Sequence, residues 1–282
     1  MIFWLQLTLP ILRQVNYSHL IFHDFSWLMF NYYGTYMLTL REVRRFLKVY
    51  HQTLIAPAVS AMIFLAVFLL SSNHPDHMIG NVKFINFMGY GLLIMTVVQN
   101  AFANTLSSLI MSKVIGYIND ILMPPFSGLE IVISYIIGAV LRGLASGLVL
   151  LIFLWPFIDI NIEHPLLLVF FTLGAASLLG QLGILAGIMA NTFDQSSAIT
   201  SYLITPLSFL SGTFYSVKKL PEFLQSINLF NPFFYMIDGF RYSLTGYSDG
   251  NIMTGIIIIL ATNIALFVLL VRLFNIGWRI KS

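Results

Sequence analysis

The sequence predicts an all-α membrane protein with six transmembrane helices, an N-terminal amphipathic helix and short outer helices between spans five and six. Hydrophobic residues make up 58% of the 282 residues and charged residues only 9%, whereas a soluble domain has about a quarter charged residues. Six apolar segments recur along the chain, each long enough to cross about 30 Å of hydrocarbon as a helix. These observations exclude a water-soluble fold.

The first 36 residues are interpreted as an N-terminal extension, and residues 37–282 as the transmembrane domain. Met1–Leu12 is apolar but shorter than the roughly 20 residues that a span needs, and it lacks the basic start of a signal peptide. We expect either an interfacial segment or a start codon set too early, with Met29 or Met37 as later candidates.

Residues 36–51 predict a basic amphipathic helix. Apolar residues recur at alternating spacings of four and three, which makes one stripe: Tyr36, Leu40, Val43, Leu47 and Tyr50. The basic residues gather on another face: Arg41, Arg44, Arg45 and Lys48. Such a helix beside a span lies in the headgroup plane, on the side with anionic lipid.

The six predicted spans lie at about 53–71, 86–109, 130–155, 165–189, 197–216 and 252–274. The loops on one side carry eight basic residues: Arg41, Arg44, Arg45, Lys48, Lys113, Arg272, Arg279 and Lys281. The other side carries four: Lys83, Lys218, Lys219 and Arg241. The richer side is expected to be cytoplasmic, so both termini lie inside and residues 206–249 lie outside.

The outer stretch 206–249 predicts two short helices. Pro221 followed by an acid suits a first helical turn, and Asn231-Pro232 suits an N-cap with proline at N1. Asp238 and Arg241 are three residues apart, close enough to pair along a helix face.

The inner loop at 113–125 predicts a short helix that stops at the diproline Pro124-Pro125, because proline lacks an N–H and restricts the residue before it. From the residues alone, a simple connector fits this loop as well as a docking element does.

Inside the predicted spans, Arg142 is the one residue whose charge falls near mid-membrane, where it must face protein or water. Asn100 and Asn104 share one face of the second span and are its candidate partners. Two interpretations stay open: a residue of a substrate lane or gate, and a structural bridge. Gly183 and Gly187 fit a GxxxG pattern, which close helix packing explains.

Two stretches carry a resemblance to a known family. FLSGTFYSVKKLP followed by LFNPFFYMIDGFRYSLTG resembles the region around the last two membrane helices of ABC-2 type permeases, the membrane subunits of ATP-driven exporters. The residues that carry it are Ser211-Gly212, Leu220-Pro221, Asn231-Pro232, Tyr235 and Gly239-Phe240-Arg241. The outer motif is represented by Asn231, Pro232, Asp238 and Arg241. The resemblance covers about residues 33–282.

The resemblance implies a homodimer of six-span subunits in the bacterial inner membrane, with two copies of a separate ATPase that binds ATP and Mg. It makes the amphipathic helix an elbow helix: Arg41, Glu42, Arg44, Arg45 and Lys48. It makes the inner loop a coupling helix that docks on the ATPase: Asn119, Asp120, Ile121, Leu122, Met123 and Pro124. Family members often carry two acids where this chain has Asn119-Asp120. No cofactor is expected in this chain, and the substrate is not readable.

Two rival classes stay open. No glycine is followed directly by lysine, so the chain has no P-loop and any ATPase is another chain. A membrane-embedded enzyme would use loop carboxylates and histidines, and an ion-driven secondary transporter would need no ATPase. Asp159 and Glu163 are expected to be solvated loop carboxylates. The histidines do not predict a metal site, because a third ligand is not evident or a proline turn intervenes: His19 with His23, and His74 with His77.

Overall fold

The computed structural model describes residues 30–71, 78–123, 126–229 and 231–278. Several sequence predictions concern residues outside these ranges: the extension before residue 30, His19 with His23, the loop that holds His74 and His77, Pro124-Pro125, and the basic residues Arg279 and Lys281.

The regular secondary structure of the described ranges is helical apart from one short hairpin. Its helices are α1 (Tyr32–Lys48), α2 (Ala56–Ser71), α3 (Phe84–Ile115), α4 (Ile118–Leu122), α5 (Gly128–Leu154), α6 (Pro165–Met189), α7 (Phe193–Ile199), α8 (Thr205–Leu210), α9 (Glu222–Leu229), α10 (Pro232–Thr245) and α11 (Ile252–Ile276). The hairpin pairs β1 (Met78–Ile79) with β2 (Val82–Lys83) in antiparallel register.

Within the described ranges, five helical stretches are long and apolar enough to cross a membrane: His51–Leu70, Phe84–Ile115, Gly128–Leu154, Pro165–Met189 and Ile252–Ile276. They correspond to predicted spans one, two, three, four and six. The second is longer than predicted, because α3 continues to Ile115 and ends where Gly116 adopts a φ of +90°.

The predicted fifth span, 197–216, is not among those five. The helix there runs from Phe193 to Leu210 in three pieces: α7, a π-helical segment Thr200–Ile204, and α8. It starts earlier than predicted because Thr192 caps its polar first turns. It also ends earlier, because the chain leaves the helix at Gly212, whose φ is +79°. Length and apolar content therefore do not identify this helix as a span.

Two π-helical segments occupy equivalent positions before prolines. His51–Ile55 ends two residues before Pro57, and Thr200–Ile204 ends two residues before Pro206. In each, the next residue donates its N–H to the carbonyl five residues back. Proline supplies no N–H for the following bond, so the chain shifts its hydrogen-bond register at this point.

Helix α3 is the centre of the bundle. The apolar stretch of α3 is 83% buried, whereas that of α11 is 11% buried. Helix α6 packs closely on α3 because Gly183 lies against Thr105 and the Phe102 carbonyl, and Gly187 lies against Leu109. The GxxxG interpretation is therefore confirmed as a packing feature.

Candidate functional site

The carboxylate of Glu42 is fully buried where α1 crosses α3 and α5 (0% exposed). Gly138 permits the crossing, because a Cβ at that position would lie 2.7 Å from the Glu42 Cβ. Glu42 accepts hydrogen bonds from the Ser108 hydroxyl at 2.8 Å, from Arg41 at 2.8 Å and from Arg45 at 3.2 Å. A buried carboxylate is thus compensated by two cations and a hydroxyl.

The two arginines extend this group to neighbouring helices. Arg45 donates to the Asn104 carbonyl at 2.7 Å, to the Asn104 side-chain oxygen at 2.9 Å and to the Ser107 hydroxyl at 3.0 Å. Arg41 donates to the Tyr135 hydroxyl at 3.2 Å. Burial lowers the pKa of Arg41, but the attraction of Tyr135 and Glu42 more than offsets it, so this pKa lies above its ordinary value. We call Arg41, Glu42, Arg45, Asn104, Ser108 and Tyr135 the Glu42 cluster.

The cluster revises the sequence view of α1 in detail. The face that packs on the protein consists of Thr35, Leu38, Glu42 and Phe46. Arg41 and Arg45 turn toward that face, whereas Arg44 and Lys48 are exposed. Three members of the predicted apolar stripe are also exposed: Tyr36, Leu47 and Tyr50. Most of the stripe therefore faces away from the bundle, whereas Leu40 and Val43 are half-buried.

Arg142 is nearly buried (9% exposed) and sits midway along α5. It donates to the side-chain oxygen of Asn100 at 3.4 Å, while its Nε has no hydrogen-bond partner within the described chain. The predicted contact of Arg142 is thus confirmed for Asn100 but not for Asn104. The side-chain oxygen of Asn104 instead accepts a hydrogen bond from Arg45. Sequence spacing could not distinguish the two asparagines, because they lie on the same face of α3 one turn apart.

A cavity of about 320 Å³ lies between α2, α3 and α8, beside Asn100. Three phenylalanines pack there, with ring centroids 5.4–6.2 Å apart: Phe64, Phe209 and Phe214. Its polar lining consists of Ser60, Thr96, Gln99, Asn100 and Thr205. The cavity offers an aromatic wall and a few amide and hydroxyl groups, a lining that suits an apolar molecule with few polar groups.

The inner loop forms the predicted short helix, α4, after the turn at Gly116. Asn119, Asp120 and Met123 are exposed. Ile121 and Leu122 lie in α4, but their side chains and Pro124 are outside the described part of the structure.

Helices α1 and α4 meet at one open depression of about 420 Å³. Its walls come from the first half of α1, from α4 with its N-cap residue, and from the loop that follows α4: Gly34, Met37, Leu38, Arg41, Tyr117, Asp120 and Phe126. The structure therefore brings the predicted elbow residue Arg41 and the predicted coupling residue Asp120 to one surface.

The outer motif is folded into the bundle. Asn231 caps α10 by accepting from the Phe233 N–H at 3.0 Å, and Pro232 occupies the first turn, as predicted. The Asn231 amide also donates to the Ser211 hydroxyl at 2.8 Å, which ties the start of α10 to the end of α8.

Asp238 and Arg241 form no hydrogen bond or salt bridge with each other in the described structure, so the predicted contact is wrong, although, against the larger effect of burial, the charge of Asp238 still acts to raise the pKa of Arg241. Arg241 is buried, donates to the carbonyls of Gly212 at 3.0 Å and Thr213 at 3.4 Å, and lies 3.5 Å from the Phe87 ring centroid. Burial lowers its pKa to about 10, which leaves it charged at neutral pH. Asp238 instead accepts from the backbone of Asp249 at 2.8 Å.

Asp249 is the centre of a hydrogen-bond network that sequence reasoning missed. Its carboxylate accepts from the Ser216 hydroxyl at 2.8 Å, the Val217 N–H at 3.0 Å and the Tyr247 hydroxyl at 2.9 Å. Burial is the main cause that raises the pKa of the Tyr247 hydroxyl, and the hydrogen bond to Asp249 raises it further. An acid in a Ser-Asp-Gly turn gives no local signal for partners more than thirty residues away.

The loop acid Asp159 is solvated, as expected, and pairs with Lys83 at 3.2 Å. The hydrogen bond from Lys83 is the main cause that holds its pKa below the usual value, with a further contribution from Asn86.

Five helices of membrane-spanning length in the described ranges, packed around the buried α3, define a polytopic helical membrane protein. Residues 33–245 match the model of the ABC-2 type transporter family. The chain is also 31% identical over 245 residues to the inner membrane transport permease YadH of Escherichia coli strain K12, covering 86% of this chain and 94% of that relative. Relatives of the same name in Escherichia coli O157:H7 and Shigella flexneri match to the same extent. The chain therefore belongs to the ABC-2 type transporter family, and the resemblance found in the sequence is confirmed.

Proposed function

We propose that this protein is the transmembrane permease subunit of an ATP-driven ABC-2 type exporter in the bacterial inner membrane. It moves a substrate outward and is powered by a separate ATPase subunit that binds ATP and Mg. The observation that carries this proposal is the family match over residues 33–245. The shared depression of α1 and α4 supports it, because two elements predicted to receive the ATPase line one surface.

In this proposal the ATPase binds at that depression and contacts α4 of this chain. Asp120 is exposed beside Arg41, so the surface offers both signs of charge to a partner. Movement of α4 and α1 then reaches the spans through the Glu42 cluster, because Glu42 and Arg45 bind groups of α3 directly. These links between α1 and α3 are charge-assisted hydrogen bonds, which are stronger than neutral ones, and breaking them leaves the bonding capacity of a buried charge unused.

The proposed architecture has six spans, with Phe193–Leu210 as the fifth and α1 as the elbow helix. The stretch from Phe193 to Leu210 contains 7, 5 and 6 residues in its three pieces, so 18 residues in total. At 1.5 Å per residue this is about 27 Å, close to the thickness of the hydrocarbon core. With both termini cytoplasmic, residues 211–250 fold at the outer side.

Two copies form the exporter, and the substrate lane runs between them. The cavity beside Asn100 supplies half of the lane in each copy. Support comes from α2, which borders this cavity yet leaves apolar side chains uncovered, among them Val59, Ile63 and Val67. A second copy covering them would close the cavity on its open side.

Charge reversal at the coupling helix tests the proposal. The chain is co-expressed with a candidate P-loop ATPase, and Asp120→Lys is compared with Asp194→Lys, a reversal at another exposed position. Loss of an interfacial charge contact costs about 2–5 kcal/mol, so we expect the ATPase to bind at least thirtyfold more weakly in Asp120→Lys. Unchanged co-purification and transport in both variants would leave α4 as a connector only.

The same preparation separates the exporter from its rivals. Transport that requires ATP and the ATPase supports the exporter. ATP-independent flux driven by a proton gradient would identify a secondary transporter, and chemical turnover of a substrate by the isolated chain would identify an enzyme.

Topology is tested with single cysteines, since the chain has none of its own. We expect a cysteine at position 44 to be labelled only after the membrane is permeabilised, and one at position 218 to be labelled in intact cells. Labelling of position 44 from outside overturns the proposed orientation.

A further inference from the structure

Another pocket lies away from the proposed lane, within residues 217–250. Its walls come from the turn Val217–Lys219, from α9 and from the turn at Asp249-Gly250, and its volume is about 370 Å³. We call it the outer pocket. Asn228 lines it with a side chain that is fully buried (0% exposed). Neither the amide nitrogen nor the amide oxygen of Asn228 has a hydrogen-bond partner in the described chain.

We propose that the outer pocket binds a neutral, hydroxyl-rich ligand of the size of a sugar ring, held by the amide of Asn228. A buried amide without partners is unfavourable, because it has lost water without gaining a protein bond. A ligand that enters the pocket and bonds to this amide removes the penalty. The proposed site goes beyond the export function and shares no residue with the cavity beside Asn100.

The walls of the outer pocket are fixed by their own bonds. The carboxylate of Asp249 is occupied by Ser216, Val217 and Tyr247. The Gln225 amide donates to the carbonyl of Leu220 at 2.7 Å. The pocket is therefore built before a ligand arrives, and Asn228 contrasts with these neighbours because its bonding capacity is unused.

The charges at the rim favour a neutral ligand. Lys218 and Glu222 both line the pocket and carry opposite charges, so Glu222 repels an anion and Lys218 repels a cation. Lys218 is already directed to the Ser248 carbonyl at 3.1 Å and lies 3.8 Å from Asp249. The Lys218 side chain nevertheless stays 57% exposed, so both signs of charge remain at the rim.

The hydrogen-bonding groups favour hydroxyls. The amide of Asn228 offers two donors and an acceptor, and each hydroxyl of a sugar both donates and accepts. Ser226 and Glu222 add further polar groups, while Leu229 and Phe234 give an apolar side for the C–H face of a ring. The volume corresponds to about a dozen waters at about 30 Å³ each, which suits one ring. Either a free sugar or the head group of a glycolipid could supply this chemistry.

The test uses the full chain in nanodiscs with its ATPase bound. Saturation-transfer NMR is recorded with the neutral methyl glycosides of glucose, galactose and N-acetylglucosamine. A second arm compares nanodiscs of phosphatidylcholine alone with nanodiscs that contain a monoglucosyl diacylglycerol. Binding of glycosides in the first arm indicates a free sugar, and binding only in the second indicates a lipid head group.

The decisive variant is Asn228→Leu, which keeps the side-chain size and removes the amide. We expect at least tenfold weaker binding with an unchanged or higher Tm, because the unpartnered amide is gone. Glu222→Ala, at the exposed rim, is expected to fold normally and to weaken binding severalfold. Asn191→Leu, in an exposed turn elsewhere, is the control and should bind as the wild type does.

Two results overturn the proposal: no signal from any sugar or glycolipid in the wild-type protein, and binding by Asn228→Leu equal to that of the wild type. The first outcome would mean that water alone occupies the pocket. Co-purification of the ATPase is measured on the same samples, so failure at this pocket is distinguishable from failure of the exporter assignment.

Discussion

Removal of the Glu42 carboxylate should destabilise the junction of α1 with α3 and α5. Glu42→Ala deletes three hydrogen bonds at once, from Ser108, Arg41 and Arg45. It also leaves two guanidinium groups close together without their shared anion. Because Glu42 is fully buried, water cannot replace it without opening the junction.

The expected magnitude follows from burial. Breaking a buried ion pair by removing one partner costs about 3–5 kcal/mol. The side chains of Arg41 and Arg45 are 36% and 23% exposed, so both keep contact with solvent. We therefore expect a cost at the lower end of this range, about 3 kcal/mol. For a chain of this size this corresponds to a Tm lower by about 6–12 °C. Glu42→Gln keeps the shape and an acceptor, so its loss should be about half as large.

Thermal unfolding of the purified protein in one detergent measures this effect. Arg44→Ala is the control, because Arg44 is exposed on the same helix and should change the free energy of unfolding by less than about 0.5 kcal/mol. A double-mutant cycle of Glu42→Ala with Arg45→Ala should give a coupling energy above about 1 kcal/mol. If Glu42→Ala melts within 1 °C of Arg44→Ala, the cluster does not stabilise the junction.

Three further predictions concern other parts of the bundle. Gly183→Ala should cost about 1–3 kcal/mol, because its Cβ meets the backbone of α3, while Gly174→Ala meets only Ile259 and should cost less; equal Tm values contradict this. Arg142→Leu should reduce transport without lowering Tm, because its single bond is long; full transport refutes a lane role. Asp159→Asn should lower Tm slightly and by the same amount at pH 6 and at pH 8, and a difference from the wild type that changes between these two pH values contradicts this. The lowered pKa of Asp159 means that its contribution is present above the unfolded pKa and lost only in acid.

Span positions could be predicted because the signal for them is local. A run of apolar residues bounded by polar ones is sufficient, and the fourth span was predicted at 165–189, where α6 lies. The fifth segment failed this test because its first turns are polar and its helix is interrupted at Thr200–Ile204. The register shift before Pro206 depends on the backbone around the proline, and a hydropathy pattern does not contain it.

The candidate sites were less predictable because their partners are distant in sequence. The three-residue spacing of Asp238 and Arg241 suggested a local pair, yet the nearest buried acceptors for Arg241 are carbonyls 28 and 29 residues away. A buried guanidinium binds the acceptors that the fold places around it, and helix spacing describes only one set of neighbours. For the same reason Glu42, which looked like one charge on a basic surface, is enclosed by three helices.

The two π-helical segments also end within two residues of the same cavity. Pro57, which follows the first segment, and Thr205, which follows the second, both line the cavity beside Asn100. A π segment carries less regular hydrogen bonds than the α-helix around it, and such segments mark places where a helix bends or shifts register. The walls of the proposed half-lane thus combine one deeply buried helix, α3, with two helices whose hydrogen-bond register changes next to the cavity. This asymmetry gives the proposed exporter a structural basis for opening and closing the lane without disrupting the central helix.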